Sequence, residues 1–374
     1  MSAGGDQRPL CVAQMLPAMD QGGVERGTLE VAAALVDHGH RALVISGGGR
    51  MVAALADAGA EHVELPVGRK SPFGLRLVPT LRRLLVDRRV DVLHLRSRFP
   101  AWLGYLAWRG MPETARPGLV TTVHGLYSVS FYSAVMTRGE RVIAVSRAVE
   151  QYLRANYPTL DPARIQVIHR GVDETRYHRG FAPSAAWLDG WRSAMPHLAG
   201  GLVVTLAGRL TRLKGHEDFL ELIRRLEARG LPARGLVVGE DRGARRRYAA
   251  GLKRRAAAEQ LPIDFLGARN DLREIFAVSN VVVSLSRKPE SFGRTVVEAL
   301  ALGTPVVGYD HGGVGEILRA VFPGGAVTAG DLDAAARAIG KVHAGELRVE
   351  ADNPYSLRRM LEQTLAVYLD LAAR

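Results

Sequence analysis

At 374 residues, 47% apolar and 24% charged, the chain is long enough for two globular domains and has the composition of neither a disordered nor a fibrous protein. The lone Cys11 excludes an intrachain disulfide, no apolar run approaches the ~18 residues of a bilayer span, and the polar stretch Met1–Pro9 is not a secretory signal, so a cytoplasmic protein is expected, either free or at the inner face of the cytoplasmic membrane. A net charge of +12 suits nucleic acid, an anionic membrane or polyanionic small substrates; without a basic tail, zinc-ligand spacing or RNP-like aromatics, nucleic acid is not expected as a partner.

Strands and helices alternate along the chain. Leu10–Met15 reads as a strand, followed by a glycine turn and a helix from about Val24 to Asp37. Further strands are expected at Ala42–Ile45, Val90–Leu95, Leu119–Val123, Arg141–Val145 and Ile165–Ile168, separated by helical patterns such as Leu75–Arg88 and Ser146–Ala155. This rhythm implies parallel pairing with right-handed crossovers. Between Asp173 and Gly201 prolines and glycines break the pattern, as in a linker. A second series follows at Leu202–Leu206, Arg234–Val238, Ile263–Leu266, Val281–Leu285 and Pro305–Val307. The expected fold is α/β, with Rossmann-like domains over 8–183 and 184–354 whose parallel sheets face a central cleft. An apolar helix over 355–374 is suited to packing back on the first.

Three loops of the second series carry candidate chemistry. Gly208-Arg209-Leu210-Thr211-Arg212-Leu213-Lys214-Gly215 leaves a strand and opens a helix. Helix-start N–H groups, the Arg209 fork and the Lys214 point charge together describe a diphosphate clamp. The order is not that of a Walker loop, and a plain strand-to-helix turn with solvated cations has the same pattern. Next, Glu290 and Glu298 bracket Ser291, Phe292, Gly293 and Thr295, with Glu290 in a loop and Glu298 in the helix after it. Two carboxylates so placed can hold two parts of one ligand, with backbone N–H groups between them. Third, Asp310-His311-Gly312-Gly313-Val314-Gly315-Glu316 allows close backbone approach after the following strand.

In the first series, Asp20-Gln21-Gly22-Gly23-Val24-Glu25 is not the Gly-x-Gly-x-x-Gly of a dinucleotide site. It is either a flexible cleft-facing loop or an ordinary turn. His124-Gly125 ends a strand, a position where a histidine is as often functional as structural.

Taken in order, these motifs, with Val145-Ser146 and Ile168-His169-Arg170-Gly171-Val172-Asp173, resemble the retaining glycosyltransferases of family 4, which have the GT-B architecture. The resemblance covers nearly the whole chain. It implies transfer of a sugar from a nucleoside diphosphate, UDP foremost, to a hydroxyl of a glycan or glycolipid acceptor, with no metal or other cofactor. Arg209 and Lys214 would neutralise the diphosphate and Glu298 would bind the ribose. Glu290 and the backbone at Phe292 and Gly293 would hold sugar hydroxyls, with Ser291 and Thr295 also in the donor site. His124 would approach the donor sugar, Gly22 and Gly23 would lie near the diphosphate or acceptor, Gly208 would join the donor site, and the loop Gly267-Ala268-Arg269 would border the base. Asp331-Leu332-Asp333 reads as a helix cap rather than a metal site. Two departures stand out: Gly315 before the glutamate of the Gly-Gly loop, and His169-Arg170 where relatives have Pro-Asn.

The acceptor side carries Arg82, Arg83, Arg88, Arg89, Arg96 and Arg98, with Trp102, Tyr105 and Trp108 nearby. This is either a solvated basic face beside core aromatics or a contact for an anionic membrane or phosphorylated glycolipid. A lipopolysaccharide core or another cell-surface glycan is the expected acceptor. A nucleotide-sugar epimerase on the same fold, or a non-catalytic nucleotide-sugar or nucleic-acid binder, are the competing readings.

Overall fold

The computed structural model describes residues 8–20, 22–69, 71–240, 246–349 and 352–373. The chain forms two compact units, one of residues up to Arg170 together with those from Arg358 onward, the other Gly171–Leu357.

The first unit is a seven-stranded sheet of β1 (Cys11–Met15), β2 (Arg41–Ser46), β3 (Glu61–Glu64), β4 (Val92–Leu95), β5 (Gly118–Val123), β6 (Arg141–Ala144) and β7 (Ile165–Val167). Their order is β3-β2-β1-β4-β5-β6-β7 and every pairing is parallel. β1 and β4 are buried at every position, as runs such as Cys-Val-Ala-Gln-Met require when helices cover both faces of a sheet. The second unit is six-stranded, with β8 (Leu202–Ala207), β9 (Ala233–Val238), β10 (Ile263–Gly267), β11 (Val281–Ser284), β12 (Val306–Tyr309) and β13 (Ala326–Val327) in the parallel order β10-β9-β8-β11-β12-β13. Its core gathers Leu202, Val204, Leu206, Phe219, Ile223, Val281, Val283 and Tyr309.

Strand order reverses between β1 and β4 in the first sheet and between β8 and β11 in the second. Crossovers leave such a pair in opposite directions and open a crevice at its carboxyl ends, where α/β sheets bind ligands.

The expected linker over 173–201 is not one. Ser184 caps a helix, Ala185–Ala194, by accepting from the Trp187 N–H. Trp187 and Trp191 stack at 5.1 Å and pack against Leu198, Val203, Leu236 and Ile275. The units therefore part between Arg170 and Gly171 and not at 183/184. The terminal helix Leu357–Ala372 joins the first unit, where the Tyr368 hydroxyl meets His94 Nδ1 at 2.6 Å and Asp370 accepts from Arg141 at 2.8 Å.

Candidate functional site

In the second unit, the loops after β8, β11 and β12 are packed into one edge by contacts that only glycine permits. Gly215 sits at φ 73°, and a Cβ there would lie 1.9 Å from the Leu285 carbonyl oxygen. Gly313 donates its N–H to the Glu290 carbonyl at 2.8 Å, and a Cβ on it would meet Phe292 Cα at 2.4 Å. The third loop thus fixes the backbone of the second, and the second fixes the first through Arg287 N–H to Leu213 O at 2.9 Å.

This brings Lys214 and Glu290 together at the β8/β11 reversal. Lys214 Nζ donates to Glu290 Oε2 at 2.7 Å. The Ser286 hydroxyl donates to the other oxygen, Glu290 Oε1. His311 Nε2 in turn lies 2.7 Å from the Ser286 carbonyl. Burial alone would raise the Glu290 pKa, but Lys214 and the bonds from Lys214 and Ser286 outweigh it and hold the carboxyl below its ordinary range. Glu290 is therefore an anion at neutral pH, stretched between a cation and a hydroxyl. His311 belongs to the third loop motif, without a role of its own there, while Ser286 has no sequence signal beyond its place on the loop after β11.

Arg209 follows Gly208 in the same crevice, is exposed, and makes no hydrogen bond or ion pair among the described residues. Glu298, about one turn into the helix Arg294–Ala301, is buried and takes a bond from Arg294 Nε at 3.1 Å. Phe292 is also buried, edge-on to Tyr355 at 5.7 Å, so only its backbone faces the loop. Ser291 and Thr295 flank it, half-buried, with Gly293 at φ 134° capping the helix. Arg269 follows β10, the edge strand of this sheet, and forms a fork on Asp271 with bonds of 2.8 and 2.5 Å. Asp331 caps its helix by accepting from Ala334 N–H, and Asp333 pairs with Arg225 and Arg229.

In the first unit Gly22 caps the helix Gly23–Asp37; Gln21 lies outside the described residues. Arg170, a departure from the family pattern, ties this loop to His124: one N–H goes to the Gly23 carbonyl and Nη2 donates to His124 Nδ1 at 2.8 Å. Burial, followed by Arg170, Arg96 and His94, holds the His124 pKa well below its ordinary value. Arg96 does not lie on a basic surface. It is 5% exposed and donates to Gln14 Oε1 at 2.6 Å. Arg98 lies over Tyr127 and Tyr132 at 4.5 and 5.3 Å, and Arg88 pairs with Glu61 at 2.6 Å. Trp102 instead lines an apolar groove of ≈ 580 Å³ with Leu75, Phe99, Leu103, Leu106 and Phe131. No described helix is long and apolar enough to cross a membrane.

Residues 21–176 match the family described as Glycosyltransferase Family 4, and residues 192–356 that described as Glycosyl transferases group 1. The chain carries the two domains of a GT-B glycosyltransferase. Among solved structures it is similar to a glycosyltransferase from Rickettsia africae, at 27% identity and a TM-score of 0.85 over 98% of this chain and 99% of that one. Anabaena HepE, solved with UDP and glucose, shares the fold at 21% identity and a TM-score of 0.79, covering 96% and 99%. Among curated proteins, the D-inositol 3-phosphate glycosyltransferase of Rhodococcus erythropolis is 31% identical over 58% of this chain and 53% of its own length. That of Mycobacterium marinum is 30% identical over 67% and 54%. The chain thus spans about half the length of the curated relatives it matches.

Proposed function

We propose that the protein transfers a hexose-type sugar, with retention, from a nucleoside-diphosphate donor, UDP foremost, to a hydroxyl of a glycan or phosphorylated glycolipid. The observation that carries this is the Lys214–Glu290 pair at 2.7 Å beside exposed Arg209, on the β8/β11 crevice of a glycosyltransferase group 1 domain. A diphosphate entering there meets two cations, and Glu290 turns to the hydroxyls of the sugar it bears. As the bond from the anomeric carbon to the β-phosphate oxygen breaks, negative charge builds where Lys214 and Arg209 stabilise it. The acceptor oxygen bonds to the same face of the sugar, and its proton passes to the departing phosphate, giving the nucleoside diphosphate. Cationic side chains supply the charge a divalent ion would bring, so the transfer runs without metal. Glu298 binds the ribose, with Arg294 as its partner when the site is empty.

Lipopolysaccharide or another cell-surface glycan is the leading pathway, with the enzyme on the cytoplasmic membrane face. The support for that face is the apolar groove, lined by exposed Leu75 and Phe131, with Arg98 over Tyr132 of its wall. A phosphorylated polyol is a second acceptor class, favoured by the name of the curated relatives. A thermal-shift screen of nucleotide sugars, followed by mass spectrometry of products with each acceptor class, tests the proposal. Turnover of the donor to an epimer without acceptor, or no response to any nucleotide sugar, overturns it.

A further inference from the structure

At the reversal point of the first sheet lies a cavity of ≈ 30 Å³, lined by Gly27, His94, Arg96, Thr122, His124 and Arg170 among others. Arg96 leaves β4 directly into it. Its guanidinium is buried, its one hydrogen bond is to the neutral amide of Gln14, it has no ion pair among the described residues, and its Nε has no partner. Gln14 is itself occupied, donating from Nε2 to the Thr28 carbonyl at 3.1 Å. A buried charge without a counterion is costly, and a buried N–H without an acceptor adds to the cost.

Two guanidinium groups converge here. A Cβ on Gly27 would lie 3.2 Å from Arg96 Nη2 and 3.2 Å from Arg170 Nη1, so the absence of a side chain leaves the space between them open. The histidines do not offset this charge. His94 spends Nδ1 on Tyr368 and Nε2 on Thr122, at 2.6 Å each, and both His94 and His124 are held in the neutral form. Glu25 and Glu30 reach Arg96 only at longer range, Glu30 being paired with Arg26 at 3.2 Å. The volume is that of about two water molecules, enough for the oxygens of an anionic group and too little for a sugar ring.

We infer that this cavity seats a phosphoryl or carboxylate group of the acceptor, held by Arg96 and Arg170. The seat for an oxyanion stands on the geometry alone; its assignment to the acceptor rests on the glycosyl-transfer reading. An acceptor bearing such a group would be oriented by a paired fork, leaving its hydroxyl to the sugar donor.

The test is a titration of the full chain with inorganic phosphate at constant ionic strength, chloride balancing the salt, read by calorimetry and thermal shift with and without saturating UDP. Phosphate is expected to bind and to raise Tm where chloride does not. Arg96→Gln is expected to weaken phosphate by about tenfold or more, the scale of a lost charge-assisted bond in a buried site. Gly27→Asp, which puts a carboxylate between the two guanidinium groups, covers the case in which Arg96→Gln fails to fold. It is expected to raise Tm without phosphate and to abolish the response to it. A wild-type protein indifferent to phosphate, or a Gly27→Asp variant responding like wild type, overturns the inference and leaves a cavity for water. A response that disappears when UDP saturates the protein assigns the seat to the donor's phosphate and overturns the acceptor assignment. Failure of UDP to bind, with the phosphate response intact, sinks the nucleotide-sugar reading and leaves the anion seat standing.

Discussion

Arg170 Nη2 donates to His124 Nδ1 at 2.8 Å, while another of its N–H groups goes to the Gly23 carbonyl. A guanidinium has no acceptor, so His124 Nδ1 carries the lone pair and, the ring being neutral, the proton is on Nε2. In the proposed transfer, His124 would therefore offer an N–H to an oxygen of the donor sugar and would not act as a general base.

That distinction is measurable. His124→Ala is expected to lower kcat/KM on the order of tenfold to a hundredfold, and His124→Gln, whose amide also donates, by less. Both variants should keep the wild-type pH profile between pH 6 and 8, because no proton is taken up by this ring in that range. Loss of an alkaline or acidic limb in His124→Gln would show that the imidazole titrates during turnover.

Stability should fall on the acid side. Burial and nearby Arg96 hold His94 far below the ordinary histidine value of 6.5, burial together with Arg170 does the same to His124, and His216 is lowered to about 4 by burial. Below about pH 6.5 the unfolded chain binds protons that the folded one refuses, so the contribution of these groups is complete above that pH and is lost as pH drops. Calorimetric Tm values from pH 8 to 5 should decline, and His94→Gln should flatten the decline. A Tm independent of pH over that interval would contradict the burial of these rings.

Lys214→Ala removes the cation facing Glu290 and the charge proposed to meet the diphosphate. A loss in kcat on the order of a hundredfold is expected, comparable to removal of one electrostatic stabiliser from an active site. UDP affinity should fall with it. Near wild-type turnover would take Lys214 out of the phosphate site, whatever its bond to Glu290.

Much of this arrangement was legible in the sequence because loops at strand ends carry their own markers. Gly215, Gly293 and Gly313 marked turns whose contacts a side chain would block. Lys214 and Glu290, 76 positions apart, belong to separate motifs in the sequence, and only the sheet order, with β8 beside β11, brings them together. The short edges β3 and β13 left no signal: Glu61–Glu64 alternates weakly and is half exposed, and β13 is two residues long. The sequence places Arg96 on the surface because its neighbours, Ser97 and Arg98, start an arginine-rich helix. Its burial is decided by Gln14 and Gly27, distant in sequence. The Ala185–Ala194 helix was hidden by Pro183 and Pro196, although Ser184 and the Trp187–Trp191 spacing were visible.

If the groove beside Trp102 meets lipid, the full chain should bind vesicles containing phosphatidylglycerol more tightly than neutral ones. Phe131→Ser, at a side chain 76% exposed and 4.9 Å from the Trp102 ring, should then weaken vesicle binding several-fold without changing Tm appreciably. Equal co-sedimentation of wild type and variant would remove the groove from the membrane contact.

Glu298 gives the sharpest separation between ligand and fold. The carboxylate is 4% exposed and bonded to Arg294 at 3.1 Å, four residues back on the same helix. If its role is only to neutralise Arg294, then Glu298→Gln costs stability, by about 1–3 kcal/mol for a buried charged bond, and leaves nucleotide affinity alone. If it binds the ribose, UDP loses two hydroxyl contacts to a charged acceptor, and calorimetry should show affinity reduced by about tenfold or more in Glu298→Gln. The double variant Arg294→Met with Glu298→Gln removes the pair together: it should recover stability relative to Glu298→Gln and still bind UDP weakly. Wild-type UDP affinity in that folded double variant would assign Glu298 to the fold and not to the donor.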